Sequence, residues 1–134
     1  MKKIFVITVF VISFSFSLLG ASYRNVGKIT KLRGDVTVLS PGQLTSRKLL
    51  MGDKVREDTS IVTGDKSFAK LTFEDGSSLN IGPNSKTVVV KMDRKGNGLV
   101  TLLKGKMRSV IKRNTKKEKK FYIQTRSASM AVRG

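Results

Sequence analysis

The stretch that decides the fold is Phe68-Ala-Lys-Leu-Thr-Phe-Glu-Asp-Gly-Ser-Ser-Leu-Asn-Ile81. Ala69, Leu71 and Phe73 alternate with Lys70 and Thr72, while Leu79 and Ile81 alternate with Ser78 and Asn80. A period of two sends one set to a buried face and the other toward water, which is the pattern of a half-buried strand. Asp75-Gly76 between the two runs marks a hairpin. Parity decides how that hairpin closes. If Asp75-Gly76 were the whole loop, Leu71 would lie opposite Asn80 and Lys70 opposite Ile81. The two apolar sets would then point to opposite faces. A three-residue loop, Glu74-Asp75-Gly76, sets Leu71 against Leu79 and Ala69 against Ile81. Gly76 then takes the left-handed position of a type I turn with a G1 bulge.

Outward from this hairpin the same grammar repeats. Short alternating or β-branched runs recur every 8 to 14 residues, and no window holds a helical period. The runs are Val26–Leu32, Asp35–Ser40, Lys54–Val55, Ser60–Thr63, Phe68–Phe73, Ser78–Ile81, Thr87–Met92, Leu99–Leu103, Met107–Lys112 and Phe121–Thr125. Gly34, Pro41-Gly42, Gly52-Asp53, Gly64-Asp65, Gly82-Pro83, Gly96-Asn97-Gly98 and Gly105 punctuate them. Val88-Val89-Val90 is continuously apolar and reads as a strand covered on both faces. The expectation is all-β: one compact domain of about ten short, mostly antiparallel strands, sandwich- or roll-like.

Composition narrows the chemistry. The 134 residues include 27 Lys and Arg against 9 Asp and Glu, a formal charge of +18, with no His, Cys or Trp. Without Cys there is no disulfide framework, thiolate metal site or thiol nucleophile. Without His the commonest general base and metal ligand are gone. No Asp-x-Asp-x-Asp run offers hard oxygen ligands for calcium. Ser40, Ser46-Arg47-Lys48 and Ser85-Lys86 are the available Ser–Lys pairs, none in a nucleophile-elbow context. Glu57, Asp58 and Glu74 could supply paired carboxylates, but nothing in the sequence sets their separation. No catalytic residue, cofactor or metal is expected.

The N-terminus reads as an address. Lys2-Lys3 precede an apolar stretch from Ile4 to Leu19, followed by the small residues Gly20-Ala21-Ser22. That is the layout of a signal peptide, and it is shorter than the roughly 20 residues of a membrane anchor. Residues 1–21 are expected to be cleaved near Ala21. They would leave 22–134 as a periplasmic or secreted domain with no permanent transmembrane anchor.

The order of the pieces resembles the FecR-type extracytoplasmic domain. The matching residues are Gly27-Lys-Ile-Thr-Lys-Leu-Arg-Gly34-Asp-Val-Thr-Val38, Leu50-Met-Gly52-Asp53, Ile61-Val-Thr63-Gly64-Asp65-Lys-Ser67 and Ala69-Lys-Leu71-Thr-Phe73-Glu-Asp75-Gly76-Ser77. Leu79-Asn-Ile81, Leu103-Lys-Gly105-Lys-Met107, Phe121-Tyr-Ile-Gln-Thr125 and Ala131-Val132-Arg133-Gly134 complete the series. The resemblance implies a module acting outside the cytoplasm by binding. Members that regulate iron uptake also carry a cytoplasmic segment, for which Met1–Lys3 leaves no room, so direct sigma-factor control is not expected. Arg126 stands where the family often has Pro. The family usually continues beyond Arg133-Gly134 with another apolar strand, so either the domain is shortened or this is a fragment of a longer product; a missing last strand would expose a sheet edge open to strand addition.

Charge adds a second candidate surface. Ser22 to Asp93 holds 12 basic and 8 acidic residues, whereas Arg94 to Gly134 holds 13 basic residues and only Glu118. The densest run comprises Lys104, Lys106, Arg108, Lys112, Arg113, Lys116, Lys117, Lys119 and Lys120. It reads either as a solvated strand pair and loop or as a patch for an anionic glycan or lipid surface. Nucleic acid is not expected, because Phe121 and Tyr122 flank the run rather than interleave with it. Two functions follow: an envelope module that recognises a protein partner in signalling or assembly, or a basic adhesin-like module that binds an anionic envelope polymer through residues 104–120.

Overall fold

Alternation translates into pleated strands. The computed structural model describes residues 20, 22–113, 116, 118–126 and 129–133. The leader read over residues 1–21 lies, Gly20 apart, outside the described residues. Every regular element among them is a strand. The first six are β1 (Asn25–Arg33), β2 (Val36–Leu39), β3 (Arg47–Lys48), β4 (Lys54–Arg56), β5 (Thr59–Thr63) and β6 (Phe68–Phe73). The rest are β7 (Ser78–Ile81), β8 (Lys86–Met92), β9 (Gly98–Lys104), β10 (Met107–Val110), β11 (Lys120–Thr125) and β12 (Ser129–Arg133). The sequence reading holds for the all-β class and for most strands. It missed β3 and β12, whose few residues carry too little alternation to register.

The strands form two sheets. Five lie in the order β10-β7-β6-β1-β4 and seven in the order β12-β11-β9-β8-β5-β2-β3. Neighbours are antiparallel except β11, which runs parallel to β9. A parallel pair needs a crossover, and the chain from β10 through residue 119 supplies it.

The β6–β7 hairpin closes with the register that parity demands. Ala69 pairs with Ile81 and Leu71 with Leu79. The Gly76 N–H donates to the Phe73 carbonyl (3.0 Å), and the Phe73 N–H donates to the Ser77 carbonyl (2.8 Å). Gly76 has φ 86°, the left-handed geometry that closes the bulge without a Cβ penalty. Val88 and Val90 are only half-buried, so β8 is fully covered on one face, through Thr87 and Val89, and not on both as its apolar run implied.

Both sheets feed one core. Ile29, Leu71, Leu79 and Ile81 of the five-stranded sheet join Val36, Ile61, Val89 and Val100 of the seven-stranded sheet, all fully buried. The Phe73 ring meets that of Phe121 across the gap, centroids 6.3 Å apart and tilted by 57°. Each such side chain contributes about 1.5–3 kcal/mol by burial.

Charge sorts with structure. Every charged residue in the strands is Lys or Arg, and all Asp and Glu stand in turns and connections. The carboxylates have local work there. Asp53, Asp75 and Asp93 accept the backbone N–H groups of Leu50, Ser77 and Asn97, the turn-forming use of Asp. Three turn serines play matching parts. The hydroxyls of Ser67, Ser77 and Ser85 each donate two residues back, to Asp65 O, Asp75 Oδ2 and Pro83 O. Each then accepts a distant backbone N–H, from Asp35, Lys112 and Lys106 respectively. Ser85 is therefore buried and committed to holding two turns together.

Candidate functional site: a buried ion pair beneath a basic cavity

The β6–β7 turn, the β8–β9 turn and the chain between β10 and β11 converge at one end of the molecule. Lys119 extends inward there, and its Nζ donates to Asp75 Oδ2 at 2.8 Å. Both side chains are 5% exposed. The same ammonium donates to the Lys112 carbonyl. Asp75 also accepts the Ser77 N–H at Oδ1 (3.0 Å) and the Ser77 hydroxyl at Oδ2 (2.7 Å). A closed network thus ties the β6–β7 hairpin to both flanks of the crossover. Burial alone would raise the Asp75 carboxyl, but the hydrogen bonds from Lys119 and Ser77 outweigh it and hold the pKa below the ordinary 3.8.

Around this pair lies a cavity of about 380 Å³ lined by Asp75, Arg94, Lys95, Lys112, Arg113 and Lys119. Asp75 and Lys119 neutralise each other, which leaves four cations at the mouth. Arg94 is 3.9 Å from Glu74, but at 82% exposure that pair is weak. Among the described residues, Lys95, Lys112 and Arg113 have no carboxylate partner. Such a mouth favours an anion, and Arg and Lys can donate to its oxygens.

The structure divides the basic run of residues 104–120. Lys104, Lys106 and Arg108 are exposed where β9 turns into the edge strand β10. Lys112 and Arg113 lie beyond the other end of β10, beside the β6–β7 turn. Lys116 is exposed, and Lys117 is outside the described residues. The Lys120 N–H donates to Asn97 Oδ1 at 2.8 Å. Lys119 is a correction: its place in the basic run reads as surface, yet the buried Asp75 carboxylate draws it inside. Sequence reasoning also missed Arg94 and Lys95. The Gly96-Asn97-Gly98 turn beside them was legible, but not its place against the β10–β11 connection.

Comparisons with known proteins bear on this arrangement. A family model described as FecR protein matches residues 59–134. The chain belongs to the FecR family. The FecR segment begins at β5 and contains every residue lining the basic cavity, whereas β1 to β4 lie outside it. A solved structure titled "Cell surface anchoring domain" is 38% identical over 47% of this chain and 82% of its own, with a TM-score of 0.43. No curated protein matches the chain. Among the described residues, no helix is long and apolar enough to cross a membrane.

Proposed function

We propose that this FecR-family chain is an extracytoplasmic, non-enzymatic module that holds an anionic polymer of the cell envelope. The cavity over Asp75 and Lys119 carries the reading. Its inner charges cancel, and its rim presents Arg94, Lys95, Lys112 and Arg113 to a ligand. The leader over residues 1–21 would deliver the domain to that compartment. The ionised Asp75, saturated by donors, anchors the site and is not a proton-transfer group. Retention on an immobilised polyphosphate column tests the reading. The wild-type protein should elute late and move earlier as salt rises. A Lys95→Gln/Arg113→Gln variant should elute earlier than wild type, and equal elution would overturn the cavity as the site.

The strand β12 favours a second reading, docking of a protein partner by strand addition. It forms the outer edge of the seven-stranded sheet and pairs on one side only among the described residues. At five residues it exceeds β3, the two-residue strand at the opposite edge. Main-chain pairing there would respond little to salt, so a partner still captured at high ionic strength would select this reading.

A further inference from the structure

The outer face of the five-stranded sheet breaks a rule of sheet stability. Lys28 of β1 stands directly opposite Lys54 of β4, and Lys31 of β1 directly opposite Lys70 of β6. Like charges in such cross-strand positions destabilise a sheet. The outward positions of β1, β4, β6, β7 and β10 contain no carboxylate; Glu74, just past β6, shares a cavity with Lys28 and Lys54 but pairs with Arg24 at 3.6 Å and Arg94 at 3.9 Å. Among the described residues, none of Lys28, Lys31, Lys54, Lys70 and Arg108 has an ion-pair partner. Folding gains nothing from this arrangement, and violations of local consistency gather at functional sites.

Geometry makes the face a track. A bulge sets Thr30 and Lys31 together against Lys70. Lys31, Lys70, Asn80 and Arg108 then fall in one row across four strands. The row spans three inter-strand steps, about 14 Å. Hydroxyls and an amide stand among the cations: Thr30 and Thr72 touch at 2.8 Å, and Asn80 separates Lys70 from Arg108. The one exposed large apolar side chain on this face is Val110. No wedge is exposed for a bilayer. Phe68, opposite Arg33, is half-buried in a cavity shared with Asn80 and Arg108, and one half-buried ring is not a platform for a row of stacked bases.

We infer that this face is a binding surface for a linear acidic polysaccharide, whose carboxylates meet the lysine row and whose hydroxyls meet Thr30, Thr72 and Asn80. The inference rests on the reading of an anionic-polymer module but adds a second surface. Lys28, Lys31 and Lys54 of that surface lie outside the FecR-matched residues.

Binding of the purified chain to alginate, to vesicles of anionic phospholipid and to single-stranded DNA, each across a salt series, tests it. Wild type should prefer alginate. A Lys28→Gln/Lys31→Gln/Lys70→Gln variant should bind alginate at least about ten-fold more weakly, with a shallower dependence on salt than wild type. Its Tm should stay level or rise, because repulsion is removed. A triple variant that binds like wild type overturns the inference; if Lys95→Gln/Arg113→Gln then loses binding, the cavity reading survives alone. Preference for vesicles or DNA also overturns it, and so does binding to none of the probes, while retention on the polyphosphate column decides the cavity reading separately.

Discussion

Lys119 Nζ lies 2.8 Å from Asp75 Oδ2, with both side chains almost wholly removed from water across 44 residues of sequence. Removing one partner strands the other charge, at a cost of about 3–5 kcal/mol. Lys119→Met and Asp75→Asn should each lower the unfolding free energy read from urea titration by that amount. The double variant should recover part of the loss, since neither charge then remains unpaired. A single-variant cost below about 1 kcal/mol would show that the pair is solvated in solution.

Acid should unfold the protein through a small set of carboxylates. Asp53, Asp75 and Asp93 are each pushed upward by burial, the largest single influence, but are held below 3.8 by several hydrogen bonds that together outweigh it, those from Arg47, Lys119 and Asn97 first among them. A depressed folded pKa means that the unfolded chain binds more protons, so this stability is intact above the ordinary value and drains as pH falls through the folded one. Tm should be flat from neutral pH to about 5 and drop below about 4. Asp75→Asn should flatten that drop. An equal acid slope in the variant would assign the transition to other groups.

The buried turn serines make a sharp test. In Ser85→Ala the Lys106 N–H loses its acceptor, which sits 2.9 Å away inside the turn junction. An unsatisfied buried donor costs about 1–3 kcal/mol. Ser46→Ala, at an exposed position, should change stability by less than about 0.5 kcal/mol. Chemical denaturation of the two variants side by side decides the point.

Two glycines with similar backbone angles should behave differently. Gly42 (φ 77°) has open space where a Cβ would go, whereas a Cβ on Gly105 (φ 87°) would meet the Ser85 Cα at 2.6 Å. Gly42→Ala should cost about 1–2 kcal/mol, from the left-handed backbone alone. Gly105→Ala should cost clearly more, read as a larger fall in Tm. Equal losses would mean that the β9–β10 corner relaxes freely.

Much of the fold was legible because a period of two constrains both face and register. The Leu71–Leu79 pairing followed from parity, with Gly76 as the residue able to close the loop. The site was less legible. Lys119 belongs to a run of lysines whose spacing says nothing of Asp75, because the ion pair depends on which turns meet in space. Likewise Lys31 and Lys70 are unremarkable in sequence and become neighbours only through the β1–β6 pairing. Balanced charge over residues 22–93 hid this, since the acids went to the turns and the bases to the strands.

That partition also governs how copies of the chain meet one another. The edge strands β3, β4 and β10 carry Arg47 and Lys48, Lys54 and Arg56, and Arg108. Extending a sheet through any of these three edges with a second copy therefore brings like charges face to face, a natural brake on fibril growth that leaves only β12 as an unguarded edge among the described residues. Polyanion added to charge equivalence would release the brake, so turbidity should peak at that ratio and clear again in excess polymer.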